Sequence, residues 1–183
     1  LARQLVAEQG VAVRLWVDDL RALQPLSPAT SLTAVQQWLE GVEVRAWTDE
    51  SASGVEPGEV VIEAFACELP PVFIAAMAAQ PRPPLWLNLE YLSAEDWVAG
   101  CHGLPSPQPC GLRKFFFFPG FTEGTGGLLR EGDLLARRDA LQADVVARTA
   151  FLERLGVRPL AGARLVSLFA YENAGLGEWL EAM

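Results

Sequence analysis

Glu90 is the side chain with the clearest capacity for chemistry. It directly follows the apolar segment Leu85–Leu89, and no basic residue stands beside it in the sequence. At the carboxyl end of a parallel strand, a carboxylate faces the crevice in which α/β sheets bind ligands, and there it can attract a cation. An ordinary carboxylate in a solvated loop explains the same pattern equally well. The sequence leaves both interpretations open.

Other predicted strand ends carry side chains that could join Glu90 around a ligand. Tyr91 comes directly after it, and Gly120 and Phe121 follow a strand predicted over residues 112–118. A rigid sheet fixes the positions of such loops, while their tips stay free to contact a ligand. We therefore expect these residues to line one cleft.

The segment from Ser167 to Asn173 combines aromatic and polar side chains at another predicted strand end. Phe169 and Tyr171 are two residues apart and so lie on one face of a strand, where they could stack on a base. Ser167 and the start of the next helix, which Glu172 enters, could meet a phosphate. Packing of both aromatic rings on the sheet explains the same pattern, and it is favoured if the motif stands alone.

Three further patterns are too weak to indicate a site. The glycine-rich residues 124–127 lack both the dinucleotide spacing and the Walker lysine, so a tightly turning loop is the better interpretation. His102 is the only histidine, and no nucleophile elbow accompanies it. Cys101 and His102 with Cys110 lack the fourth ligand and the paired spacing of a metal site, so no metal is predicted.

Composition limits the class of protein. The chain has 183 residues, of which 51% are hydrophobic, enough for one well-packed domain or one and a fraction. Its net charge of −9 argues against a nucleic-acid partner, because phosphate binding requires a basic surface. No apolar run reaches the roughly 18 residues of a membrane span, so no membrane partner is expected. The three cysteines form no close pair, which favours reduced thiols and a cytoplasmic location.

Apolar segments of strand length alternate with helical patterns, which predicts an α/β fold with a Rossmann-like parallel sheet covered by helices. Gly10 is expected to end the first helix, and Gly156 to end a long helix that begins near residue 141. Other helices are predicted over residues 34–40, 69–80 and 173–183. Strands are predicted over residues 11–17, 42–47 (at a sheet edge), 59–65, 85–89 and 112–118 (all three buried), and 163–170.

The same patterning divides the chain into two parts. Residues 1–157 are predicted to form the N-terminal domain, without its first strand. Residues 158–183 are predicted to be a linker followed by the first strand and helix of a second domain. Because the chain opens on Leu1 without methionine, we expect it to be a fragment of a longer protein.

Four short motifs occur in this chain in the order found in one enzyme family. They are Leu-Asn-Leu-Glu-Tyr-Leu-Ser-Ala-Glu-Asp-Trp at residues 87–97, Phe-Phe-Phe-Pro-Gly-Phe-Thr at 116–122, Thr-Gly-Gly-Leu-Leu-Arg at 125–130 and Ser-Leu-Phe-Ala-Tyr-Glu-Asn at 167–173. With all four in register, the chain closely resembles the EarP family, the protein-arginine rhamnosyltransferases that modify elongation factor P. The resemblance covers essentially the whole chain.

The resemblance implies a two-domain glycosyltransferase of the GT-B type, of which this chain would be the N-terminal part. The donor dTDP-β-L-rhamnose would bind to the C-terminal domain, and the arginine of elongation factor P would enter from the N-terminal side. Transfer with inversion would give an α-rhamnosyl arginine that activates the translation factor, without a metal or other cofactor. The family's catalytic aspartates would lie upstream of Leu1, so the catalytic residues are unknown within this chain, and the chain alone is expected to be inactive.

The positions after predicted strands, taken with the resemblance, give candidate site residues. By resemblance, Phe169 and Tyr171 match aromatic residues on the donor-nucleotide side, and the family's first glycine loop would lie upstream of Leu1. Glu90, Tyr91, Gly120 and Phe121 would line the acceptor side of the cleft, where Glu90 could attract the guanidinium or steady the missing glycine loop. The donor would contact Ser167, Phe169, Tyr171, Glu172 and Asn173.

Two other functions compete with the transferase. A non-catalytic α/β module that only docks a protein partner would show the same alternation of strands and helices, and donor binding by the intact protein separates it from an enzyme. A nicotinamide-dependent oxidoreductase ranks low, because the chain lacks the G-x-G-x-x-G fingerprint.

Overall fold

The computed structural model describes residues 1–160, 162–168 and 175–182. It divides into two compact units, the first of which is Leu1–Gly132 and the second of which begins at Asp133. The domain boundary predicted at residue 157 stays a prediction.

The first unit contains a three-stranded sheet near its amino terminus. Its strands are β1 (Arg14–Val17), β2 (Gln36–Leu39) and β3 (Val42–Ala46), in the order β1-β3-β2. β1 runs parallel to β3, and β2 runs antiparallel to it. Helix α1 (Ala2–Gln9) ends at Gly10 in the left-handed conformation, as predicted. A 3-10 helix, Leu20–Leu23, follows β1, and Asp19 caps its first turn.

Two predictions for this sheet were wrong. Residues 34–40 are not a helix, because they contain β2, which forms a hairpin with β3. The turn places Glu40 and Gly41 at positive φ, the backbone that a tight hairpin with right-handed twist requires. β3 is also the central strand and not an edge, because it pairs with β1 on one side and with β2 on the other.

Glu43 joins all three strands of this sheet. Its carboxylate accepts hydrogen bonds from Arg14 Nε of β1 at 3.1 Å and Arg45 Nε of β3 at 2.6 Å. Gln36 Nε2 of β2 donates a third bond at 3.0 Å. Burial opposes the ionisation of Glu43, but the hydrogen bonds and positive charges of Arg45 and Arg14 outweigh it and hold its pKa below the ordinary value.

The larger sheet of the first unit carries the predicted loops at Glu90 and Gly120. Its strands are β4 (Val60–Ala64), β5 (Leu85–Leu89), β6 (Pro105–Pro107) and β7 (Arg113–Phe117), in the order β4-β5-β7-β6. β4, β5 and β7 are parallel, and β6 is an antiparallel edge. Helices α2 (Asp49–Ala52), α3 (Pro71–Ala79) and α4 (Val98–Cys101) complete this part. The core consists of Val61, Leu69, Phe73, Met77, Trp86 and Leu112.

The strands predicted over residues 59–65, 85–89 and 112–118 are present, but none is buried throughout. Side chains alternate between the two faces of β4, so Val61 packs under α3 while Val60 and Ile62 lie on the opposite face and are exposed. In β7 the phenylalanines are half-buried. Helix α3 begins at Pro71, which costs no hydrogen bond in the first turn, and this agrees with the prediction for residues 69–80.

The second unit contains three helices among its described residues, α5 (Leu134–Ala143), α6 (Val145–Arg154) and α7 (Leu176–Glu181). The single long helix predicted to end at Gly156 is broken, because Asp144 adopts an extended backbone and caps α6 by accepting the N–H of Ala147 at 2.9 Å. The prediction of a strand over residues 163–170 was wrong for residues 163–168, which pair with no described strand. The last two of its residues lie outside the described part of the chain.

The α/β class with parallel strands is therefore confirmed. The parallel strands are divided between two sheets, since β1 pairs with β3 and not with β4 or β5.

Replacing Glu43 by Gln should lower the free energy of unfolding by about 1–3 kcal/mol, because two arginines lose charge-assisted hydrogen bonds to a buried carboxylate. The folded pKa of Glu43 is lowered, so its contribution is fully present above the ordinary value of 4.5 and is lost as the pH falls through the folded pKa. Urea denaturation at neutral and acidic pH measures both effects. Glu40→Gln is the control, because the ion pair of Glu40 with Arg3 is exposed and contributes little; equal losses in the two variants would contradict the assignment.

Candidate functional site

The carboxyl ends of β4, β5 and β7 meet at one edge of the larger sheet. Glu90 and Tyr91 follow β5, and Gly120 and Phe121 come shortly after β7, so the structure brings the two predicted loops together. The backbone N–H of Glu90 donates to the carbonyl of Phe117 at 2.9 Å. Farther along, Ser93 and Gly120 form an isolated parallel bridge. We use the name strand-end site for the loops after β5 and β7 together with the turn after β4 that begins at Phe65.

Glu90 is oriented by a buried amide. Its Oε1 accepts a hydrogen bond from Nδ2 of Asn88 at 2.5 Å. Asn88 has no accessible surface and lies on the α3 face of β5, the same face as Trp86. No arginine or lysine of the described residues forms an ion pair with Glu90, and Oε2 accepts no hydrogen bond from any of them. One carboxylate oxygen is thus held while the other is available to a ligand.

The same amide fixes the turn after β4. Oδ1 of Asn88 accepts the backbone N–H of Ala66 at 2.9 Å, and the N–H of Phe65 donates to the carbonyl of Leu89 at 2.8 Å. Phe65, Ala66 and Glu68 have positive φ values of 57°, 54° and 49°. That backbone is unfavourable for residues with a Cβ, and such strain is concentrated at functional sites.

A buried charge cluster contacts this turn through a hydrogen bond to the backbone of Glu68. Glu63, which is 1% exposed, forms an ion pair with Lys114 Nζ at 3.2 Å and accepts a hydrogen bond from Trp86 Nε1 at 3.1 Å. Glu63 Oε1 also accepts the backbone N–H of Glu68 at 3.3 Å. The cluster is too deeply buried to meet a substrate, so its effect is to hold the turn in place.

Sequence reasoning missed Asn88, Glu63 and Phe65 as parts of this arrangement. A signal existed for the first two, because each is a polar residue inside an otherwise apolar strand. Such a residue is tolerated in a core only when its hydrogen bonds are made. Phe65 ends the strand predicted over residues 59–65, but no local pattern predicts its contact with Tyr91 of another strand end.

Phe65 and Tyr91 form an aromatic pair at the surface of the site. Their ring centroids lie 4.0 Å apart with an interplanar angle of 13°, so the rings are stacked. Phe65 is 48% exposed and Tyr91 67% exposed. A pair buried in a core would not leave this much ring surface in water, so the stacked rings present an aromatic face to whatever enters the site.

The glycine-rich connection after β7 is a tightly packed turn. The N–H of Gly126 donates to the carbonyl of Phe118 at 2.8 Å, and the N–H of Gly120 donates to the carbonyl of Gly127 at 3.1 Å. His102 Nδ1 accepts the N–H of Phe118 at 3.1 Å, which fixes the point where β7 ends. These N–H groups are used inside the protein, in agreement with a tight turn and not a phosphate loop.

An open cleft of about 540 Å³ lies between the loops after β5 and β7. Phe121 lines it together with three exposed carboxylates, those of Glu95, Asp96 and Glu123. Its lining is therefore acidic, which suits a cationic ligand better than an anionic one.

The donor-side candidates are only partly described. Ser167 is exposed and lies in no helix or strand. Phe169, Tyr171, Glu172 and Asn173 lie outside the described residues, so their role stays a prediction.

Three other observations concern the described part of the chain. No group of three or more metal-ligating side chains occurs there. None of the helices described has both the length and the apolar character needed to cross a bilayer. Cys67, Cys101 and Cys110 are all free thiols, and burial raises the pKa of the Cys67 thiol.

Comparison with known proteins identifies the family. The family model described as "Elongation-Factor P (EF-P) rhamnosyltransferase EarP" matches residues 1–183. The chain belongs to this family. The family prediction from the four motifs is therefore confirmed.

Individual relatives agree with the family match. The chain is 66% identical to a protein from Pseudomonas putida and 58% identical to one from Pseudomonas aeruginosa, each over 183 residues and each named "Protein-arginine rhamnosyltransferase". A relative of the same name from Neisseria meningitidis is 40% identical. The matches cover 100%, 100% and 99% of this chain but 48%, 48% and 45% of those relatives, so the chain spans about half of their length. A solved structure described as "Structural basis for EarP-mediated arginine glycosylation of translation elongation factor EF-P" is similar to the chain at 39% identity and a TM-score of 0.48, covering 99% of this chain and 38% of that one.

Gly126→Ala should destabilise the strand-end site by about 1–3 kcal/mol, because an added Cβ would lie 2.6 Å from Phe117 Cε1 and 3.0 Å from His102 Cε1. Gly100→Ala is the matched control, since a Cβ there meets nothing within 4 Å and alanine favours the helix. Urea denaturation of both variants measures the difference. Equal stability of the two variants would contradict the close packing of the glycine-rich connection.

Proposed function

We propose that the intact protein transfers L-rhamnose from dTDP-β-L-rhamnose to an arginine side chain of elongation factor P and thereby activates this translation factor. The observation that carries the proposal is the family match over residues 1–183, with relatives up to 66% identical that are named protein-arginine rhamnosyltransferase. The proposed setting is the cytoplasm, where translation takes place.

The proposed reaction is a substitution at the anomeric carbon of the sugar. A guanidinium nitrogen forms the bond to this carbon, the bond from the carbon to the diphosphate oxygen breaks, and dTDP leaves. The carbon inverts, giving an α-rhamnosyl arginine, and the nitrogen loses one proton. Because guanidinium has a pKa above about 12, a carboxylate must polarise or deprotonate it, and the family aspartates that precede Leu1 are the proposed source. No metal or other cofactor is part of the proposal.

Within this proposal, the strand-end site lies on the acceptor side of a GT-B cleft. Glu90 has a carboxylate oxygen available for a charge-assisted hydrogen bond to guanidinium. The acidic cleft, which Phe121 lines and Glu90 does not, would favour a cationic acceptor segment. The donor nucleotide would stack on Phe169 and Tyr171 at the start of a second domain. Most other donor contacts would come from the part of the relatives that this chain does not span.

The proposal is tested by incubating the intact protein with dTDP-β-L-rhamnose and elongation factor P. Mass spectrometry should show one added deoxyhexose on an arginine, and nuclear magnetic resonance of the product should show the inverted anomeric configuration. Elongation factor P in which the modified arginine is replaced by lysine is the control. Binding of elongation factor P without any transfer or donor binding would instead favour the non-catalytic interaction module.

Glu90→Gln should lower kcat/KM for elongation factor P by about 10- to 100-fold, because a charge-assisted hydrogen bond to the guanidinium contributes about 1.5–3 kcal/mol. The Gln side chain keeps an oxygen that can accept the bond from Asn88, so donor affinity should stay nearly unchanged. Steady-state kinetics and donor calorimetry measure the two effects.

Glu59→Gln is the matched control, because Glu59 is an exposed carboxylate that precedes β4, at the opposite end of the sheet. A wild-type rate for Glu90→Gln would make Glu90 a solvated loop carboxylate. A fall in folding stability would indicate the other role, that of steadying a neighbouring loop.

Tyr171→Ala should weaken donor binding by about 1–3 kcal/mol, the usual scale for a lost base-stacking contact. Titration calorimetry of the intact variant with dTDP measures this. Unchanged affinity would remove Tyr171 from the donor site.

A further inference from the structure

The turn after β4 holds an aromatic ring in an unfavourable backbone conformation. Phe65 has φ +57°, a value that is a genuine outlier for a bulky side chain, and its neighbour Ala66 has φ +54°. The surrounding hydrogen bonds maintain this conformation through Leu89 and Asn88. Local strain of this kind persists only when the rest of the structure over-determines it. Glycine would avoid the strain at this position but would also remove the ring and its stack on Tyr91.

The position of the ring suits a planar cation. Phe65 stacks on Tyr91 at a centroid distance of 4.0 Å, yet about half of its surface stays in solvent. Tyr91 directly follows Glu90, whose Oε2 has no partner among the described residues. An arginine guanidinium can stack on an aromatic face while it donates hydrogen bonds in its own plane, whereas a lysine ammonium is a compact point charge.

We infer that the stacked Phe65–Tyr91 pair, with Glu90 beside it, is the element that selects arginine over lysine on the acceptor. The inference rests on the proposed function and deepens it. Phe65 is the new assignment: its ring forms part of the face on which the guanidinium stacks, and the Asn88 hydrogen bonds align this face with the carboxylate of Glu90. The aromatic pair takes no part in the transfer step, so the pair affects only the binding of the acceptor.

Kinetics of the intact protein test the inference. Phe65→Leu keeps an apolar side chain at the same strained backbone but removes the aromatic face, so KM for the acceptor should rise by about 3- to 30-fold, the range for a lost cation–π contact. Donor affinity of Phe65→Leu should stay within twofold of wild type. The separate variant Phe65→Tyr keeps an aromatic face, so it should have the wild-type KM. Trp38→Leu is the matched control, because Trp38 is an exposed aromatic on the other sheet, and it should leave KM unchanged.

A binding measurement gives a readout that does not need catalysis. Calorimetry with elongation factor P and with its Arg→Lys variant should show a preference for arginine in the wild-type protein and a smaller preference in Phe65→Leu. The inference is overturned if Phe65→Leu keeps both the wild-type KM and the full preference, if the wild-type protein shows no preference, or if donor affinity falls as much as acceptor affinity. Absence of rhamnosyl transfer by the wild-type protein would overturn the proposed function instead.

Discussion

The two hydrogen bonds of the Asn88 side chain are the interaction on which the strand-end site depends. The amide is fully buried, donates to Glu90 and accepts from the backbone of Ala66. A buried amide left without partners costs about 1–3 kcal/mol, so the turn after β4 and the residue after β5 are coupled through one side chain. This coupling keeps Phe65 in a left-handed conformation and places its ring against Tyr91. The positions of the acceptor-side candidates therefore depend on a buried side chain of β5 and not on the loops alone.

Buried carboxylates connect the strands within each of the two sheets of the first unit. Glu43 accepts bonds from all three strands of the smaller sheet, and Glu63 on β4 pairs with Lys114 on β7 across β5. In each case the carboxylate is satisfied, and among the described residues no buried side-chain nitrogen or oxygen lacks a partner. A strand shifted by one residue would turn these charges to the opposite face, so the ion pairs specify the register as well as contributing to stability.

Elements with strong local signals could be predicted from the sequence. Gly10 ends α1, prolines begin α3, and the apolar segment Leu85–Leu89 is β5. The errors occurred where a partner decides the outcome. Residues 36–39 form a strand because β3 is available as a neighbour, and 163–168 form none because no described strand pairs with them. Charged residues in β3 suggested an edge, because a sequence does not show that Glu43 is paired with Arg14 of β1 on one side and Gln36 of β2 on the other.

The sequence by itself determined the α/β class, the family and the loops that follow β5 and β7, because these depend on neighbouring residue types and on short motifs in order. Only the tertiary structure decided how those loops are positioned. The bond between Asn88 and Ala66 and the stack of Phe65 on Tyr91 join residues far apart in the chain. Such contacts depend on the register of parallel strands joined by crossover connections, and this register is set by packing of the whole sheet and not by any local pattern.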